Sequence, residues 1–209
     1  MTIELVGFPQ SNTMRAVLIA ASEKGVEYSV TPAMPHTPEI YAVHPLGKVP
    51  GMRHGSLTLG ESTAICSYIN ENFDGPALMP SDPMERATID QYVAMITTGL
   101  DPIIVRNYIV EYMFNKDDDG NVIRTTIDKH IPKIPLHLNV INDAIVENGY
   151  IASDTLTLAD CHAYPIIAAA ARFPESGEAL ADCPAVTKWV QRMEARDSVS
   201  SVSATRPAS

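Results

Sequence analysis

Three prolines between residues 74 and 83, Pro76, Pro80 and Pro83, divide this chain into two stretches with different periodicities. Proline fixes φ and removes a backbone donor, so a cluster of prolines interrupts helices and strand ladders alike. Before the cluster, short β-like runs alternate with helical patterns; after it, every periodic stretch is helical. One sheet cannot run through both halves. The expectation is an α/β domain over residues 1–75, a linker over 76–83 and an all-α domain over 84–197, followed by a serine-rich tail, 198–209, that is expected to be disordered. At 209 residues and 45% hydrophobic content the chain has enough apolar surface for a core in each half.

The first half opens with an apolar run, Ile3 to Val6, that reads as a strand. Pro9 and the cluster Ser11, Asn12 and Thr13 come next, and then helix-compatible sequence to Gly25. A helix start leaves N–H groups unpaired and carries partial positive charge, so an anion beside Ser11, Asn12 or Thr13 would be stabilised. The competing reading is that one of these side chains caps the helix. Tyr28 and Val30 alternate with polar neighbours as a second strand, and strand, helix, strand implies a right-handed parallel crossover. Residues 34–45 form a proline-rich loop with room for one helical turn over 38–42. Two short β-like runs, 49–52 and 57–59, are joined by a turn supplied by His54 and Gly55 and read as an antiparallel hairpin. Glu61 and Ser62 then open another helix, where Ala64, Ile65, Tyr68 and Ile69 recur at helical spacing. The order is βαβ followed by ββα.

In the second half, residues 84–114 form one long helical pattern weakened at Gly99 and at Asp101-Pro102, where proline should kink or break it. Residues 124–148 are helical with interruptions at Pro132 and Pro135. Thr157 and Asp160 form a capping-box-like start to a third helix, making Asp160 a structural cap, and a last helix carrying Trp189 in a packing role follows Pro184. Residues 115–120 resemble the start of a calcium loop, but the twelfth position is Thr126 instead of a bidentate Glu, so this is a solvated turn.

A net charge of −10 argues against nucleic acid and anionic membrane partners, which require a basic surface. No apolar run reaches the ~20 residues that cross a bilayer, and the N-terminus lacks the basic and apolar regions of a signal peptide, so the expected location is cytoplasmic. Cys66, Cys161 and Cys183 lie far apart without metal-ligand spacing; they read as reduced thiols, and no metal site is expected.

Five separated segments resemble the glutathione S-transferase superfamily. They are Ser11 with Arg15, Val17, Leu18 and Glu23-Lys24-Gly25; His44-Pro45-Leu46-Gly47-Lys48-Val49-Pro50; Leu59-Gly60-Glu61-Ser62-Thr63-Ala64-Ile65; Leu78-Met79-Pro80-Ser81-Asp82-Pro83 leading into Arg86-Ala87; and Leu156-Thr157-Leu158-Ala159-Asp160. Each alone is common; five in register are specific. The resemblance implies a thioredoxin-like N-terminal domain that binds glutathione as co-substrate, an all-helical domain that shapes a pocket for a small hydrophobic electrophile, and a homodimer. It places the thiolate-stabilising hydroxyl at Ser11, with the phi-like pattern of Ser, three residues, then Arg; Asn12 and Thr13 are rivals. It implies a cis-proline at Val49-Pro50 that leaves the Val49 backbone to pair with the cysteinyl unit. Lys48, with His36 as a weaker candidate, would meet the glycyl carboxylate, and Glu61 and Ser62 the γ-glutamyl end. Tyr92, Ile96, Arg106, Tyr108 and Tyr112 fall where the superfamily builds its second-substrate pocket, although aromatic and apolar residues at helical spacing are more often core.

The resulting expectation is an enzyme in which Ser11 stabilises the glutathione thiolate for attack on the electrophile. Isomerisation, reductive dehalogenation and peroxide reduction use the same thiolate and stay open. Thiol–disulfide chemistry would need a cysteine near position 11, which is absent. A non-catalytic glutathione-binding or scaffold protein of the same fold is the contrasting reading, but a scaffold has no physical need to keep Ser11, Lys48, Val49-Pro50 and Glu61-Ser62.

Overall fold

The computed structural model describes residues 2–147 and 149–204. It divides into two compact units, one made of the chain up to Asp82 together with the segment from Glu194 onward, the other Pro83–Met193.

The first unit holds a four-stranded sheet in the order β2-β1-β3-β4. β1 (Ile3–Gly7) pairs in parallel with β2 (Tyr28–Pro32) after the crossover helix α1 (Asn12–Glu23), and antiparallel with β3 (Gly51–His54). The edge strand β4 (Leu57–Gly60) closes the hairpin, and α3 (Ser62–Asn72) follows; the short α2 (Pro38–Tyr41) occupies the proline-rich loop. β3 reaches His54, so the turn is Gly55-Ser56 rather than His54-Gly55, with Gly55 at φ 59° as a two-residue hairpin turn requires.

Residues 198–204 are ordered, contrary to the disordered tail expected there; the rest of that tail, 205–209, lies outside the described residues. Helix α1 buries Met14, Arg15, Ala16, Val17, Leu18, Ile19, Ala20 and Ala21 and so needs cover on several sides. The sheet and α3 supply part of it; the final helix (Asp197–Ala204) returns to α1 and buries Val199 and Val202. Glu23 stands at the C-terminal end of α1, where the helix dipole disfavours a carboxylate. Arg196 compensates with two bonds, Nε to Oε1 at 2.6 Å and a terminal nitrogen to Oε2 at 2.7 Å, and the Ser198 hydroxyl adds a third. Serine richness is a poor guide here because two buried valines, Arg196 and one of the serines, Ser198, hold this segment against α1.

Among the described residues the second unit contains helices only, apart from isolated bridges. Residues 83–114 run on as one helix, α over Pro83–Met95, π over Ile96–Ile109 and α again over Val110–Phe114. Pro102 therefore widens the helix instead of breaking it. A proline ring clashes with the carbonyl four residues earlier, and a π turn, bonded i to i+5, moves that carbonyl away. Two side-chain pairs follow the same spacing: Arg106 Nε to Asp101 Oδ2 at 2.9 Å, and Asn107 Nδ2 to the Pro102 carbonyl at 2.7 Å. The helix is long and apolar enough to span a bilayer by length and composition, but its Ile96, Leu100, Ile104 and Tyr108 are buried and it packs against the helix Leu158–Ala170.

The rest of the unit comprises Thr125–His130, a 3-10 turn Ile131–Lys133, Ile134–Ala144, Leu158–Ala170, Pro174–Ala181 and Pro184–Glu194. Residues 117–121 form an Asx turn in which Asp117 Oδ1 accepts from the N–H groups of Asp119 and Asn121. Thr157 and Asp160 form a capping box. Asp160, fully buried, also accepts from the Ile151 N–H at 3.0 Å and from the Trp189 indole at 2.8 Å. Trp189 is thus bonded as well as packed. Burial pushes the Asp160 carboxyl up to about 6 against the pull of these donors.

Glu175, in the first turn of Pro174–Ala181, binds the Tyr108 hydroxyl at 2.9 Å, the Tyr112 hydroxyl at 2.7 Å and the Arg124 guanidinium. Burial alone would raise its pKa, but Arg124 and the tyrosines outweigh burial and hold it at about 2. An acid depressed in the folded state contributes stability above its unfolded value of 4.5, and that contribution is lost as pH falls from 4.5 toward 2. Circular-dichroism melts should show the midpoint of Glu175→Gln falling less steeply with acidification across that window than the wild type; equal slopes would contradict the assignment.

Candidate active site

At the end of β1 the chain turns so that the Ser11 N–H donates to the Phe8 carbonyl and the Ser11 carbonyl accepts from the Arg15 N–H, the first bond of α1, both at 2.9 Å. Ser11 is the N-cap residue by position, with extended φ −63° and ψ 134°, yet its hydroxyl makes no capping bond. Its Oγ lies 2.9 Å from Thr13 Oγ1, which donates to the Val49 carbonyl at 3.1 Å. A hydroxyl has one proton. The Thr13 proton is committed to a carbonyl, so the Ser11 proton points at the Thr13 oxygen. Rotation about the Cβ–Oγ bond of Ser11 would turn that proton toward an anion at the helix start without breaking a cap. Asn12, the third candidate, is half-buried in the first turn.

The Val49-Pro50 peptide is cis, and β3 starts directly after it. A Cβ on Gly51 would stand 2.2 Å from Val43, so only glycine lets the strand pass this close to the preceding loop. That loop is shaped by the turn at residues 44–47: the Gly47 N–H donates to the His44 carbonyl at 2.9 Å, and the Gly47 carbonyl accepts from the His36 N–H at 2.8 Å. His36 and Lys48 are exposed on it, and the His36 ring lies 3.2 Å from the Tyr41 hydroxyl. On the far side of the hairpin, Ser62 is buried as the first residue of α3. Glu61 precedes it at φ 65° and ψ 123°, outside the regions L-residues normally occupy, with its carboxylate exposed. One residue was quoted in the sequence only as part of a motif: His44 is buried, with Nε2 3.4 Å from Glu61 Oε1.

Family models described as the glutathione S-transferase N-terminal and C-terminal domains match residues 5–77 and 107–197. Glutathione S-transferase F13 of Arabidopsis thaliana is 30% identical over 176 residues, 79% of this chain and 78% of that protein. Glutathione S-transferase F6 of the same plant is 28% identical over 96% of this chain and 98% of its own length. The crystal structure of glutathione transferase F7 from Populus trichocarpa superposes with a TM-score of 0.86 at 25% identity, covering 97% of this chain and 98% of that one. The chain belongs to the glutathione S-transferase superfamily.

Its sheet unit is accordingly the thioredoxin-like domain and its helical unit the all-α domain of a glutathione transferase, with glutathione as substrate. Of the residues expected at the second-substrate pocket, Tyr108 and Ile96 are fully buried within the helical domain. The Tyr108 hydroxyl is occupied by Glu175 and Ser176, and burial pushes its pKa up to about 12. Tyr92 and Tyr112 are half-buried, and Tyr112 spends its hydroxyl on Glu175. Arg106 meets a carboxylate of its own helix, Asp101.

The backbone of Glu61 in this transferase carries strain of about 1–3 kcal/mol, set against ~0.5–1 kcal/mol of extra unfolded-chain entropy for glycine. Glu61→Gly should therefore raise the unfolding free energy by about 1 kcal/mol, measured by urea titration. A destabilised variant would show that the conformation is not strained.

Proposed function

We propose that glutathione binds across the starts of α1 and α3 and that the Ser11 hydroxyl donates a hydrogen bond to its thiolate. The observation that carries this reading is the Ser11 hydroxyl itself: it is half-buried at a helix N-terminus, makes no capping bond, and holds its proton toward Thr13, from which it can turn to a ligand anion. A free thiol of pKa ~8.5 is a few per cent ionised at neutral pH. A hydroxyl donor together with the helix start is worth one to two pKa units, about 1.4–2.8 kcal/mol of thiolate stabilisation.

The remaining roles divide along the tripeptide. The Val49 backbone pairs with the cysteinyl unit in the manner of an added strand. Lys48, assisted by His36, meets the glycyl carboxylate. Ser62 and the N–H groups opening α3 take the γ-glutamyl carboxylate, and Glu61 takes the ammonium. The thiol proton is released to solvent on binding. The sulfur lone pair then forms a bond to an electrophilic carbon of a small hydrophobic substrate, and the leaving group departs with the electrons of the bond that breaks. Catalysis consists of generating and positioning the thiolate, with no covalent enzyme intermediate. In this reading the protein works as a cytoplasmic homodimer, as the resemblance of its motifs implies.

Ultraviolet titration of the thiolate of bound glutathione tests it. The wild type should lower the thiol pKa by one to two units, and Ser11→Ala should restore it most of the way to the free value. Equal depression in both proteins would remove Ser11 from the mechanism.

A further inference from the structure

His44 is 2% exposed, and its surroundings determine its tautomer. The Leu46 N–H donates to Nδ1 at 3.2 Å, so Nδ1 is an acceptor and the ring proton sits on Nε2. Nε2 is enclosed and completes no hydrogen bond of ordinary geometry, while Glu61 Oε1 lies 3.4 Å away. The ring rests on Gly60, where a Cβ would stand 2.5 Å from His44 Cδ2; the missing side chain at Gly60 is what lets the imidazole reach this position. Glu61, by contrast, has a 61% exposed side chain on a positive-φ backbone.

We propose that His44 is the positioning residue for glutathione's α-ammonium: its buried Nε2–H draws Glu61 Oε1 to one place and leaves Oε2 directed at the γ-glutamyl end. The inference rests on the role given to Glu61 above. An exposed carboxylate that must receive an ammonium loses rotamer freedom on binding, and a donor held by packing removes that loss in advance. His44 touches neither the sulfur nor the ammonium. It therefore acts on recognition of glutathione and not on the chemistry at sulfur, and it gives the site selectivity for a ligand with a free α-amino group.

Asparagine and glutamine at this position separate the two bonds of the imidazole. An Asn amide can accept from the Leu46 N–H but falls short of Glu61; a Gln amide can reach Glu61 with a donor. Calorimetric affinities would be measured for glutathione and for glutaryl-cysteinyl-glycine, its analogue without the α-amino group. His44→Asn should weaken glutathione roughly five- to tenfold and leave the analogue's affinity at the wild-type value, and His44→Gln should recover much of the loss. With an activated aryl halide as second substrate, the loss should fall on KM for glutathione rather than on kcat. Equal weakening of both ligands would overturn the proposal in favour of a role in holding the loop.

Glu61→Gln distinguishes the two levels of the argument. If it weakens glutathione and His44→Asn does not, the positioning role is wrong and the Glu61 assignment stands. If Glu61→Gln leaves glutathione binding intact, the Glu61 assignment fails and the inference with it. Should His44→Asn not fold, the His44 Nε2–H resonance decides: it should shift between wild type and Glu61→Gln, and an unmoved resonance overturns the proposal.

Discussion

The site in the sheet domain depends on one hydrogen bond, from the Thr13 hydroxyl to the Val49 carbonyl, which joins residues 36 positions apart. It ties the first turn of α1 to the entry of the β3–β4 hairpin. The same bond uses up the Thr13 proton and so decides which way the Ser11 hydroxyl points. Close packing makes the bond possible: Val49 stands 3.4 Å from where a Cβ on Gly7 would be, and Gly51 slides past Val43 where no larger residue would fit.

The helical domain uses a related device for stability. Asp160 is fully buried and gathers donors from three places in the chain: its own capping box, Ile151 and Trp189. Glu175 likewise collects Tyr108, Tyr112 and Arg124. A carboxylate withdrawn from water, fully for Asp160 and partly for Glu175, is tolerated when its lone pairs are satisfied, and each then fixes the relative placement of the segments that satisfy it. The π-helical stretch belongs to the same domain. Pro102 could have ended the helix; widening it kept the helix continuous and brought Arg106 over Asp101. The arginine that looked free for a ligand anion is thereby paired within its own helix.

Much of the architecture was legible from local signals because the features concerned are local. Strand alternation, proline punctuation, the Thr157–Asp160 cap and the change of periodicity after residue 83 each depend on a few neighbouring residues. Helix Pro174–Ala181 went unread, since its eight residues carry a glycine and little apolar periodicity. The final helix was misread for a different reason: its stability comes from Glu23, more than 170 residues away, and from the face of α1 that it covers.

The sequence by itself determined which chemical groups could serve a glutathione site, namely a hydroxyl at a helix start, Val-Pro before a hairpin, and Glu-Ser before a helix, because residue type and spacing are local quantities. Tertiary structure alone decided what those groups are doing. It left Ser11 without a capping bond and gave the Thr13 hydroxyl an acceptor on the distant segment that leads into β3. It moved Tyr108 and Ile96 into the core and gave Arg106 a carboxylate. It brought the buried His44 imidazole to within 3.4 Å of Glu61 across a glycine. Burial and the bond from Thr13 to Val49 arise from residues far apart in the chain, and even the pair Arg106–Asp101, five residues apart, meets only because the helix widens there, which no window along the sequence shows.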